Sequence, residues 1–204
     1  VTAHFQRFRV VRISMEDAAT AQFTTEPMLA AADLLADAQV QAICWNGTSS
    51  GWLGFDSDRA LIAQIEARTG VAACSCVLGI NEILGRLSAR RIAFVTPYLP
   101  EIQDAICANY RAEGFDVVAE RHLDDPGNFS FATYDAETVA GMCRAVAAEG
   151  PEAIAVFCTN FRGAGVAETI EAETGVPVID SVSAALWASM RTAGAAPSRV
   201  RGWG

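Results

Sequence analysis

Three short segments carry the residues able to do chemistry. Cys158-Thr159-Asn160-Phe161-Arg162 places a cysteine at the end of an apolar strand pattern, just before a helical one. Backbone N–H groups and a helix dipole at such a switch favour thiolate over thiol, and a thiol there serves as nucleophile or as proton donor and acceptor. Asn46-Gly47-Thr48-Ser49-Ser50-Gly51 follows another strand pattern. Its glycines let backbone N–H groups approach a ligand, its hydroxyls add donors, and the next helix points its N-terminus at the same place. That is an anion site, suited to carboxylate or phosphate. Thr96-Pro97-Tyr98-Leu99-Pro100-Glu101 fixes a turn that leaves Tyr98 at a third strand end, where a phenol can donate to an oxyanion. Each segment also has a plainer reading: a buried structural cysteine, a Gly/Ser turn, a tyrosine packed on a helix start.

The elements that must position these residues alternate along the chain. Strand patterns run over 4–12, 40–46, 71–76, 90–96, 115–121, 152–158 and 176–180, and helical ones over 27–38, 57–69, 78–87, 99–113, 135–149, 163–174 and 182–194. The runs at 40–46, 90–96 and 152–158 are almost wholly apolar, which predicts parallel strands covered by helices on both faces. In open α/β sheets ligands bind beyond the carboxyl ends of the strands, where all three segments fall. The polar stretch 122–134 reads as a long loop of the kind that carries function. Ile65-Glu66-Ala67-Arg68-Thr69-Gly70-Val71 matches Ile170-Glu171-Ala172-Glu173-Thr174-Gly175-Val176 at six of seven positions. Gly47-Thr48-Ser49 then falls opposite Cys158-Thr159-Asn160. The expectation is an α/β fold of two related halves facing a cleft.

Composition removes several alternatives. The 204 residues are 51% hydrophobic and 19% charged, so a core is affordable and disorder is not expected. The net charge of −9 argues against nucleic acid. All 15 basic residues are arginine, so Schiff-base, pyridoxal-holding and P-loop lysines are excluded. With only His4 and His122 there is no multi-histidine metal site. No run of 18 apolar residues exists to span a membrane. The six cysteines sit in apolar runs without a CxxC pair, which reads as reduced thiols in a cytoplasmic protein, with Cys74 and Cys76 on alternate strand positions. Cys44, Cys74, Cys76, Cys107 and Cys143 read as structural. Trp45, Trp52, Phe55 and Phe161 read as core packing by default or as the wall of an apolar pocket, and Trp187 more clearly as core.

Gly47-Thr48-Ser49, Thr96-Pro97-Tyr98, Cys158-Thr159-Asn160-Phe161-Arg162 and Gly175-Val176-Pro177-Val178-Ile179-Asp180-Ser181, in that order, resemble the aspartate/glutamate racemase superfamily. The branch is that of maleate cis-trans isomerases, arylmalonate decarboxylases and ectoine-utilisation proteins. The resemblance implies two flavodoxin-like parallel-sheet halves related by pseudo-twofold symmetry. By position the halves are 1–88 plus 183–204, and 89–182. It implies cofactor-independent chemistry at the carbon next to a carboxylate of a small mono- or dicarboxylic acid. Relatives usually carry two cysteines; here the second survives as Cys158 and the first position is Gly47, as in the decarboxylases. One-sided protonation of an enediolate by Cys158 is the mechanism implied, with Thr48, Ser49, Tyr98, Thr159 and Asn160 binding the substrate and its oxyanion. Maleate-isomerase-like or racemase-like chemistry through Cys158, and a non-catalytic carboxylate-binding protein, are the alternatives. A homo-oligomer is compatible with this reading. The family normally opens with a further strand and a Pro-Ser-rich loop, so a natural protein longer by roughly 20–40 N-terminal residues is expected.

Overall fold

The structure, a computed structural model, describes residues 1–10, 15 and 24–199. Two parallel sheets form its two halves. In the first, β1 (Ile43–Trp45) pairs with β2 (Ala73–Ser75). In the second, β3 (Arg91–Thr96), β4 (Asp116–His122), β5 (Ala153–Val156) and β6 (Val178–Asp180) lie in the order β4-β3-β5-β6. Ile92 to Val95 and Ala153 to Val156 are buried without a break, as strands with helices on both faces must be. Around the sheets lie α1 (Thr25–Asp37), the short α2 (Ser50–Leu53), α3 (Asp56–Thr69), α4 (Cys76–Leu87), α5 (Pro100–Ala112), α6 (Ala136–Ala147), α7 (Ala164–Thr174) and α8 (Ser181–Thr192).

The repeated heptapeptide does the same physical job twice. Thr69 Oγ1 donates to the Ile65 carbonyl at 2.7 Å and accepts from the Val71 amide at 3.2 Å. Thr174 does the same with Ile170 and Val176, at 2.7 and 3.2 Å. Gly70 and Gly175 close their helices at φ 69° and 72°, the left-handed region that suits a residue without Cβ. Glu66 then accepts from the Ala73 amide at 2.9 Å, and Glu171 from the Val178 amide at 2.8 Å. Each carboxylate thus ties the end of a helix to the strand that follows it. On this equivalence Cys76 of α4 matches Ser181 of α8, and the two touch: Cys76 Sγ donates to the Ser181 carbonyl at 3.1 Å. Helix α8, capped by Asp180 accepting from the Val182 and Ser183 amides, packs on α4, β1 and β2, so the chain returns to the first half.

Several expectations need correction. Residues 4–10 form no strand; Val10 gives its carbonyl to the Asn128 side chain at 2.9 Å rather than to a neighbouring strand. Residues 11 and 12 of that predicted strand lie outside the described residues. The run 40–46 is strand only over Ile43–Trp45 and is not covered on both faces, since Cys44 and Trp45 stay half-buried. Cys76 opens α4 instead of ending β2, because Ser75 caps the helix by accepting from the Leu78 amide at 3.2 Å. Trp187 is a half-buried surface ring under two guanidinium groups, with Arg191 at 4.8 Å and Arg86 at 5.4 Å from its centre.

Candidate active site

The carboxyl ends of β1, β3 and β5 open on one cavity of about 1090 Å³. Gly47, Thr48, Ser49, Tyr98, Cys158, Thr159 and Asn160, all singled out by sequence, line it together. Burial of Ile154 to Phe157 drives β5 into the core and delivers Cys158, 3% exposed, at the strand's mouth. The Pro97 turn delivers Tyr98 from β3, 2% exposed. The Tyr98 and Thr48 hydroxyls share a hydrogen bond of 2.7 Å that joins the two halves. The Tyr98 hydroxyl also lies near enough to the Cys158 sulfur to lower that thiol's pKa. The Asn160 amide donates to that sulfur at 3.4 Å. A chain of polar groups therefore runs from Thr48 through Tyr98 to Cys158.

Burial pushes the Cys158 thiol up to about 11, against the lowering effect of the Tyr98 hydroxyl and the Asn160 and Phe161 amides; Asp180 raises it further. This reverses the thiolate expected from the sequence. The physical reason is position. Helix α7 starts only at Ala164, so its dipole does not end on Cys158, and desolvation dominates. Tyr98 is likewise raised, chiefly by burial and then by Cys158, and stays a hydrogen-bond donor. A protonated thiol implies slow alkylation at neutral pH. Iodoacetamide labelling of Cys158 should rise about tenfold per pH unit between pH 7 and 9, because only the thiolate reacts. A plateau above pH 8, read by peptide mass spectrometry, would contradict the assignment.

The first loop works differently from the sequence reading. The amides of Gly51, Trp52 and Leu53 are spent on the carbonyls of Thr48 and Ser49, so they do not form an anion nest. Gly51 is required because a Cβ there would meet the Phe157 ring, and Asn109 Nδ2 of α5 donates to its carbonyl at 2.9 Å. Gly47 lies under the Trp45 ring, which a Cβ would overlap. The loop brings the Thr48 and Ser49 hydroxyls to the cavity. The Asn160 side chain also donates through Nδ2 to the Asn128 carbonyl at 2.5 Å, a bond that holds the Cys158 loop at the cavity wall. Asn128, from the predicted long loop, joins the cavity wall and was not anticipated individually. Trp45 and Trp52 wall the cavity as expected, but Phe55 packs on Tyr110 and Phe161 on Tyr134, outside it. No Asp or Glu lines the cavity among the described residues, although the chain carries 24, whereas His4 and Arg7 do.

Two parallel-sheet halves meeting at a cavity with a strand-end cysteine define a class of α/β enzymes. The chain belongs to the arylmalonate decarboxylase family, whose model matches residues 7–204. It is 25% identical over 197 residues to a maleate isomerase of Pseudomonas putida, covering 93% of this chain and 78% of that protein. It is 27% identical over 161 residues to the arylmalonate decarboxylase of Bordetella bronchiseptica, covering 78% and 67%. The fold matches the crystal structure of the maleate isomerase Iso from Pseudomonas putida S16, with a TM-score of 0.86 at 22% identity over 100% of this chain and 83% of that one. Decarboxylase and isomerase relatives thus match at similar identity, which does not tell the two activities apart, and the chain is an enzyme of one of these two kinds. No helix among the described residues is long and apolar enough to cross a membrane.

Proposed function

We propose that this enzyme decarboxylates a small α-substituted malonate, with Cys158 as the proton donor. The observation that carries the reading is the buried Thr48–Tyr98–Cys158 chain, whose thiol is held protonated while position 47 has no side chain. A cavity without carboxylates, with Arg7 and His4 along its wall, suits a dianion. Trp45, Trp52 and Leu186 supply apolar wall for an aryl or alkyl substituent.

In the step proposed, the bond from the α-carbon to one carboxylate breaks and leaves as carbon dioxide. Its electron pair moves into the remaining carboxylate, giving an enediolate. Thr48, Ser49 and Tyr98 donate to the developing oxyanion, each such donor being worth roughly 2.7–4 kcal/mol. Cys158 delivers its proton to the α-carbon, and the thiolate regains one from water. The Cys44 sulfur, although at the cavity, is turned toward the Ala185 carbonyl at 3.8 Å, so Cys158 serves alone. The unpaired thiols fit a reducing, cytoplasmic setting.

Proton NMR in deuterium oxide tests the reading with a panel of aryl- and alkylmalonates, maleate, aspartate and glutamate. Loss of one carboxylate with a single deuterium on the α-carbon is the expected result. Conversion of maleate to fumarate without malonate turnover would overturn it in favour of an isomerase. Silence across the panel would overturn the malonate reading and move the search to carboxylates outside the panel.

A further inference from the structure

Cys44 and Cys74 lie outside the chemistry above, and the fold places them together. They are direct register partners on the parallel strands β1 and β2, between the pairs Ile43–Ala73 and Trp45–Ser75. Their sulfurs share one face of the sheet, under α8: Cys44 Sγ lies 3.8 Å from the Ala185 carbonyl, and Cys74 Sγ 4.0 Å from Ser189 Oγ, one helical turn on. The two thiols are near enough to shift each other's protonation. Adjacent strands run ~4.8 Å apart, inside the ~4.4–6.8 Å between Cα atoms that a disulfide spans. Both residues are half-buried, whereas Cys76, Cys107, Cys143 and Cys158 are buried. Cys74 also lines a separate surface cavity of about 340 Å³ with Leu78, Glu82, Arg191 and Thr192, which gives a small oxidant a way in. Cys44 borders the catalytic cavity on the other side.

We infer that Cys44 and Cys74 form a reversible dithiol–disulfide site that takes a peroxide as oxidant. The two thiols have different parts. The neighbouring Cys44 brings Cys74 down to about 7, whereas Cys44 is raised well above the ordinary thiol value, first by Cys74 and then by burial. Cys74 is therefore the attacking sulfur. Its thiolate displaces hydroxide from hydrogen peroxide and becomes a sulfenic acid. The Cys44 thiol then attacks that sulfur, the S–S bond forms, and water leaves. Overall, two thiols and one hydrogen peroxide give one disulfide and two waters.

The chain's digestion pattern makes the test direct. Cleavage at arginine puts Cys44 alone in peptide 13–59 and Cys74 with Cys76 in peptide 69–86. Native protein is treated with stoichiometric hydrogen peroxide, blocked with iodoacetamide and digested. The expected result is loss of two of six thiols, a 13–59/69–86 cross-link whose fragmentation places the bond at Cys74, and full recovery with dithiothreitol. In Cys44→Ser the cross-link is lost and dimedone traps a sulfenic acid on Cys74. In Cys74→Ser neither product forms, and circular dichroism verifies that both variants fold. Oxidation falling first on Cys158, or a cross-link through Cys76, would overturn the inference. So would six intact thiols after peroxide.

Discussion

Replacing Cys158 by alanine lowers turnover of an arylmalonate about a thousandfold while leaving the fold intact. Proton delivery by a positioned side chain contributes about 10²–10⁴ in rate, and in this cavity Cys158 is the acid placed for it. The loss should fall on kcat. On the proposed mechanism Thr48 and Ser49 still hold the substrate in this variant, so KM should stay within a few-fold, the pattern of an interaction used only in the transition state. Stability is only mildly affected, because one sulfur atom is removed from a pocket already open on a cavity; the cost is about 1 kcal/mol. Cys158→Ser is equally slow, since an alcohol is a far weaker acid than a thiol even with Tyr98 beside it. The pH profile separates this role from nucleophilic catalysis. A thiol at about 11 keeps its proton throughout the neutral range, so activity holds from pH 7 to 9 and falls only as the thiol ionises. A thiolate nucleophile would show the opposite slope. Steady-state rates by carbon dioxide release decide the matter, and a Cys158→Ala variant keeping a tenth of the activity would refute the assignment.

Much of this arrangement was legible in the sequence, for identifiable reasons. Strand ends in a parallel sheet face one side, so Tyr98 and Cys158, after two strands of one sheet, had to converge; the repeat that sets two halves face to face brings Thr48 from the other sheet to meet them. The Thr-Gly heptapeptide was legible because its letters are a hydrogen-bonding programme: a threonine that bridges the last turn, a glycine that reverses the chain, and a glutamate that reaches the next strand. What was illegible depends on distance through space. The charge state of Cys158 is set by how much protein surrounds it and by the five residues separating it from α7. The commitment of Asn160 to the Asn128 carbonyl depends on how the 122–134 loop folds back. The Cys44–Cys74 pairing depends on strand register, which nothing local specifies when both strands are three residues long. One missed feature did have a signal. Trp45 and Gly47 are two apart at a strand end, and a period of two places them on the same side.

That Trp45–Gly47 contact carries the second large effect, in which Gly47→Cys alone fails to create a two-thiol enzyme. Any Cβ at position 47 overlaps the Trp45 ring. The ring is not free to yield: Phe8 stacks on it with centres 5.4 Å apart, and it packs against the cluster of Met28, Leu29, Ile43, Leu61 and Ile65. The single variant should lose about 1–3 kcal/mol to overpacking, because the ring and the new side chain compete for one space. Trp45→Ala should cost about 2 kcal/mol, less than a fully buried tryptophan, since this ring is half-buried. The double variant Trp45→Ala/Gly47→Cys should be more stable than the sum of the two by about 1–2 kcal/mol, as expected for residues in direct contact. Urea denaturation reads this coupling whatever the substrate is, and strictly additive losses would show that the ring moves aside without cost. Catalysis supplies the second readout. On the proposed mechanism one thiol protonates the α-carbon from a single face, so an enantiopure product keeps its configuration. With room made for a thiol at 47, the double variant should racemise an enantiopure 2-arylpropionate, as two acid–base groups on opposite faces of one carbon permit, while wild type and Gly47→Cys do not. Racemisation by Gly47→Cys at the rate of the double variant would remove Trp45 from the account and leave the absence of a side chain at position 47 as the sole source of one-sided protonation.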